Sequence, residues 1–180
     1  MGRAPYNSRV LCVYLIRHAP AYERDRKRWP DDRERPLTAE GMKKFRQAAA
    51  GLERIVGTIE CVLTSPLVRA SQTAEILTSV TGWPRAIEAA ELAPGRTPAQ
   101  ALALIRNQSV ECLALVGHEP NLTDLLAVCI AGAGARVGCE LKKGGVISLS
   151  FAALPRAGQG QLNWLVTPRT LRAVAKRSAR

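Results

Sequence analysis

The only two histidines of the chain, His18 and His118, each close an apolar run: Val10–Ile16 leads into Arg17-His18, and Cys112–Val116 into Gly117-His118. Both runs read as β-strands, so both imidazoles fall at the carboxyl end of a strand, where α/β sheets gather their ligand-binding groups. Two arginines share that placement. Arg17 adjoins His18, and Arg69 follows the end of a third apolar run, in Ser65-Pro66-Leu67-Val68-Arg69. The guanidinium fork matches phosphate oxygens and stays charged at any working pH. Two such forks beside helix N-termini suit a phosphoryl group. An imidazole there can attack phosphorus and form a covalent intermediate that water later hydrolyses, while surrounding positive charge stabilises the oxygens in transit. Each residue alone has an ordinary structural reading: a satisfied core histidine, a salt-bridged arginine, a solvated helix charge. The joint arrangement carries the expectation. Two histidines with no thiolate or carboxylate companion make a poor zinc site, so no metal is expected.

Alternating strands and helices must position these groups. Strands are read at about 10–16, 59–64, 111–116, 146–151 and 162–166, with a short edge segment in 86–92. Between them, Thr38 is the N-cap of a helix to about Ile55, and Ser65-Pro66 supplies a cap and first-turn proline for a helix to Gly82. Thr97-Pro98 and Thr167-Pro168 repeat that start signal, and a further helix runs from Pro120 to the Gly132-Ala-Gly134 breaker. The charged stretch 20–37 reads as an extended loop, of a length that is often functional. The order implies a three-layer α/β/α sandwich around a mainly parallel central sheet. One domain is expected over 10–168, after a leader at 1–9 and before a basic C-terminal tail at 169–180.

Composition narrows the function classes. With 180 residues and 47% hydrophobic content the chain can bury a substantial core. It has no apolar run of membrane-spanning length, and Tyr6 stands where a myristoylation signal needs Ser or Thr. Five cysteines without a CxxC pair fit a reducing compartment, so a cytoplasmic location is expected. The formal charge of +11 raises a nucleic-acid-binding domain as an alternative of another class. Five of those charges, however, lie in 169–180, and 4% aromatic content is sparse for base stacking. Steering of anionic partners, phosphoproteins included, accounts for the charge equally well.

The motifs match a known pattern. Leu15-Ile-Arg17-His18-Ala19 resembles the Arg-His-Gly signature of the histidine phosphatase superfamily, also called phosphoglycerate mutase-like. Arg35-Pro-Leu-Thr-Ala-Glu-Gly41 is similar to its loop-to-helix segment, and Leu63-Thr-Ser-Pro-Leu-Val-Arg69-Ala-Ser-Gln-Thr-Ala74 to the segment with its second arginine. Leu115-Val-Gly-His118-Glu-Pro-Asn-Leu122 resembles the segment of its second histidine, and Asn163–Pro168 the end of the short phosphohistidine phosphatases of SixA type.

The resemblance implies that His18 is the nucleophile and that Arg17, Arg69 and His118 bind the phosphoryl group. It implies no metal or organic cofactor. The implied partner is a phosphohistidine-bearing protein such as a phosphotransfer domain, with no membrane involvement. The alternative within the superfamily is a small phosphorylated substrate of a phosphomonoesterase or pyrophosphate-type hydrolase. Two departures stand out. Ala19 replaces the signature glycine, and Pro20-Ala-Tyr22 lacks the polar positions that mutases use around phosphate. Pro94 falls where related phosphomonoesterases carry a glutamate acid; Glu91 is the nearest acid and is expected not to be the proton donor. An absent acid suits a phosphoramidate, whose imidazole leaves after protonation on its own second nitrogen, better than a phosphate ester.

Overall fold

The computed structural model describes residues 10–176. The expected leader at 1–9 and the last four residues of the basic segment lie outside the described residues. Six strands, β1 (Leu11–Arg17), β2 (Cys61–Thr64), β3 (Ile87–Glu88), β4 (Cys112–Gly117), β5 (Val146–Phe151) and β6 (Gln161–Val166), form one sheet in the order β3-β2-β4-β1-β5-β6. The strands β1 to β4 are mutually parallel, and β5 runs antiparallel to both its neighbours. The α/β sandwich with a mainly parallel sheet expected from the sequence is therefore the fold found.

Alternation along the strands sends side chains to two cores. Ile16, Val62, Ala114 and Val116 pack beneath α1 (Ala39–Glu53), α2 (Val68–Thr81) and α5 (Pro168–Lys176). Val13, Leu15, Leu113 and Leu115 pack beneath α3 (Pro98–Arg106) and α4 (Asn121–Ala131). With both faces covered, the strands have no polar side to show, which is why they read as unbroken apolar runs. The helix α1 starts as expected, with the Thr38 hydroxyl accepting the Gly41 amide at 2.9 Å. It buries Phe45, Ala48, Ala49 and Leu52, a helical spacing that keeps one face on the sheet.

The basic C-terminal segment, through Lys176, is helix α5, anchored by the buried Leu171. Where α5 crosses α1, a Cβ on Gly51 would lie 1.9 Å from the Leu171 carbonyl oxygen, so only glycine lets the two backbones meet. Among the described residues, no helix is long and apolar enough to cross a membrane.

Some boundaries differ from the sequence expectation. The second strand begins at Cys61, and the edge segment is two strand residues followed by a 3-10 turn at Ala90–Leu92. The loop 20–37 contains a further 3-10 turn at Asp32–Glu34. The largest change concerns Ser65-Pro66. Helix α2 begins at Val68, capped by Leu67 without a side-chain bond, so Ser65 is not its N-cap. The serine hydroxyl is committed elsewhere.

Candidate active site

The parallel pairing of β1 with β4 puts Arg17 opposite Gly117, and the His18 amide donates to the Gly117 carbonyl at 3.0 Å. The two histidines that follow these strands are thereby neighbours, with ring centroids 5.1 Å apart and planes tilted by 54°. Both are buried, His18 at 6% and His118 at 3% exposure. Arg69, from the first turn of α2, is buried at 4%. Arg17 aims its Nη1 at the Leu141 carbonyl, 2.7 Å away. The four residues singled out in the sequence therefore converge on one edge of the sheet.

Each ring is held in a definite state. The Nδ1 of His18 lies 2.7 Å from the Ala19 carbonyl, which can only accept, so Nδ1 carries the proton and Nε2 presents a lone pair. Burial pushes the His18 pKa down to about 3, helped by the charges of Arg69, Arg17 and Lys143, against the raising effect of the Ala19 bond. Burial also depresses His118, to about 2, with His18 and Arg69 adding to it. Both imidazoles are neutral near pH 7, as a nucleophile must be.

The segment that carries His18 is fastened from two sides. The Ala19 amide donates to the buried Thr73 hydroxyl at 3.0 Å, and that hydroxyl donates to the Arg69 carbonyl at 2.7 Å. On the other side the Gly144 amide reaches the carbonyls of Arg17 and His18, at 3.0 and 3.1 Å. Gly144 has φ of +80°, a conformation that a side chain would strain.

Asp32 completes the frame. Arg69 donates through Nη1 to the Asp32 carbonyl at 2.8 Å and places Nη2 3.2 Å from its carboxylate. The same carboxylate receives Arg35 Nε at 2.7 Å, and Arg35 Nη1 donates to the Tyr22 carbonyl at 2.6 Å. Chiefly because of the Arg35 bond, the Asp32 pKa is held below the usual carboxylate range. Burial lowers the pKa of Arg69, and the neighbouring charge of Arg35 adds to it.

Three buried side-chain nitrogens have no hydrogen-bond partner among the described residues: Arg17 Nε, Arg69 Nε and His118 Nδ1. Leaving buried polar groups unpaired is costly. All three belong to the convergent set, which makes the cluster a receptor for an anion rich in acceptor oxygens. No cluster of three or more His, Cys, Asp or Glu side chains fit for a metal occurs among the described residues.

Beside this cradle runs a groove of about 520 Å³ lined by Asp32, Arg33, Leu67, Ala93, Pro94 and Arg96, among others. Pro94 is part of the groove wall. Glu91 lies in a separate small recess with Leu92, Pro98 and Asn121 and does not line the groove.

Three residues of the site were missed in the sequence: Ser65, Thr73 and Asp32. Ser65 was hidden behind a helix-start reading, and its Oγ lies 2.8 Å from His118 Nε2. Thr73 stood within a quoted motif but four residues past the arginine. Asp32 sits in a stretch of mixed charge that gives no sign of which carboxylate turns inward.

Comparison with known proteins bears on this geometry. The family model described as histidine phosphatase superfamily (branch 1) matches residues 13–96. An uncharacterized protein from Picosynechococcus sp. is 35% identical over 145 residues, covering 78% of this chain and 86% of its own. The chain belongs to the histidine phosphatase superfamily. It is also similar to the phosphohistidine phosphatase SixA of Escherichia coli, at 27% identity over 89% of this chain and 96% of that one. A solved structure of the protein histidine phosphatase SixA complexed with tungstate superposes with a TM-score of 0.76 at 27% identity, covering 89% of this chain and 99% of the other. This histidine phosphatase is therefore a phosphatase of SixA-like fold, with its family motifs gathered at the cradle.

Proposed function

We propose that the protein hydrolyses phosphohistidine on a partner protein, through a covalent intermediate on His18. The observation that carries this reading is the groove beside the cradle. Its carboxylate, Asp32, is held ionised by Arg35 and Arg69, and its wall includes Pro94, which by the sequence resemblance falls where an ester-cleaving relative would carry an acid. An alkoxide leaving group gains about 10²–10⁴-fold from a positioned acid. A phosphohistidine does not need one, because its ring can be protonated on the nitrogen that carries no phosphorus.

The steps balance without a further acid. The Nε2 lone pair of His18 attacks phosphorus as the P–N bond to the substrate ring breaks, and that ring departs as neutral imidazole. The proton stays on His18 Nδ1, hydrogen-bonded to the Ala19 carbonyl, so the phosphorylated ring is cationic and is itself a good leaving group. Water then attacks phosphorus, its surplus proton passes to solvent, and His18 returns to neutral imidazole. Arg17, Arg69 and His118 meet the phosphoryl oxygens through their unpaired nitrogens.

Phosphate release from a phosphorylated phosphotransfer domain, set against p-nitrophenyl phosphate and sugar phosphates, tests the proposal. A preference for the protein substrate that is lost in His18→Ala supports it. Faster turnover of a small ester would assign the protein to the phosphomonoesterases instead, and full activity in His18→Ala would overturn the covalent mechanism.

A further inference from the structure

Ser65 directly follows β2 and is fully buried. Among the described residues its Oγ has two hydrogen-bond partners: the Leu67 amide, which donates to it at 3.4 Å, and His118 Nε2 at 2.8 Å. We infer that Ser65 fixes the tautomer of His118, holding the proton on Nδ1 so that a neutral imidazole presents an N–H donor to the phosphoryl group. The inference rests on the reading of the cradle as a phosphoryl site.

A serine hydroxyl has one hydrogen to give and two lone pairs to receive. The Leu67 amide can only donate, so it takes one lone pair. If His118 Nε2 also donated, the serine hydrogen would be left without an acceptor, buried. His118 Nδ1 would then be a bare lone pair facing an incoming anion. The opposite arrangement uses every hydrogen: the amide donates to Oγ, the hydroxyl donates to Nε2, and Nδ1 carries the remaining proton.

That Nδ1 is one of the three buried nitrogens with no partner among the described residues. As an N–H it is a donor waiting for an acceptor oxygen. The cradle therefore gains a hydrogen bond without adding a positive charge next to His18, which must stay neutral to attack. A protonated His118 would donate from the same atom, but burial above all, and then the His18 ring and the charges of Arg69 and Arg35, stand against that charge. Ser65 thus acts through His118 as a positioning residue. Its backbone is tied as firmly as its side chain, since the Ser65 amide donates to the Val116 carbonyl at 2.9 Å and links β2 to the strand that carries His118.

The first test needs no substitution and no turnover. Nitrogen-15 NMR of the ligand-free protein contains only two imidazoles, and the inference requires His118 to show a protonated Nδ1 and a pyridine-like Nε2. A protonated Nε2 with a bare Nδ1 would overturn it. The second test compares Ser65→Ala and Ser65→Thr. Ser65→Ala is expected to lose the single-tautomer signature and to weaken inorganic phosphate and orthovanadate binding about tenfold, the loss of one buried donor. Ser65→Thr, which keeps the hydroxyl, is expected to restore both. Retention of the wild-type tautomer and anion affinity in Ser65→Ala overturns the role. The correct tautomer and anion affinity in a protein inactive on every phosphorylated substrate would count against the proposed function while leaving this inference standing.

Discussion

Asp32 grips Arg69 at two points, with its main-chain carbonyl on Nη1 at 2.8 Å and its carboxylate 3.2 Å from Nη2. The first contact depends on the 3-10 turn of the loop, and the second on an ionised side chain. Together they orient the guanidinium and leave its Nε, buried and without a partner among the described residues, for the phosphoryl group that we propose the cradle binds. A loop that looks like solvated charge in the sequence is thus fastened to the cradle.

The first prediction follows directly. Asp32→Asn keeps the main-chain bond and removes the charge that aligns both Arg69 and Arg35. Misplacement of a transition-state group by about 1 Å can cost up to roughly 100-fold, so a fall in kcat/KM of about tenfold or more is expected. Steady-state kinetics on p-nitrophenyl phosphate would measure it. Unchanged kinetics would show that the backbone contact alone orients the arginine.

The histidines predict a pH dependence with a definite sign. In the unfolded chain both titrate near 6.5, whereas in the fold burial depresses them to about 3 for His18 and about 2 for His118. Below about pH 6.5 the unfolded chain takes up protons that the native state refuses. Stability is therefore full above that pH and is lost progressively as pH falls towards 3. Asp32, depressed in the fold, adds to the loss in the same direction at the acid end. Urea unfolding between pH 8 and 4 should show a declining midpoint, and imidazole NMR should show both rings neutral down to pH 5. A ring titrating at 6–7 in the folded protein would contradict this.

Glu91 supplies a negative prediction. Its recess is separate from the groove, so Glu91→Gln should change kcat/KM by less than about twofold on protein and ester substrates alike. A large loss confined to esters would identify it as the missing acid.

At the α1–α5 crossing, Gly51→Ala would drive a methyl group into the Leu171 carbonyl. Overpacking of this kind costs about 1–3 kcal/mol. At this chain length each kcal/mol lowers Tm by about 2–4 °C. Calorimetry should register the drop, while kcat of the folded protein at low temperature stays near wild type because neither Gly51 nor Leu171 belongs to the cradle.

How much of this was legible in the sequence depends on how local each signal is. Strand ends, the Thr38 cap and the positions of Arg17, His18, Arg69 and His118 follow from apolar runs and short motifs, and the fold brings all four together. The roles of Ser65, Thr73 and Asp32 depend on partners 53, 54 and 37 residues away. No spacing rule encodes such pairs. For Ser65 the local rule actively misled, because Ser-Pro is a genuine helix-start pattern and the helix nonetheless begins at Val68. The antiparallel turn of β5 was equally hidden, since an apolar run carries no direction.

The bond from Arg17 to the Leu141 carbonyl spans 124 residues of chain, and the clamp of Gly144 on His18 is of similar reach. Contacts of such long sequence separation close late in folding. On the ribosome, Arg17 and His18 emerge before the turn preceding β5 and remain unaligned until it has followed them out. The imidazole proposed as nucleophile is thus synthesised well before the contacts that align it, so a nascent or truncated chain that stops before Gly144 carries His18 without that alignment.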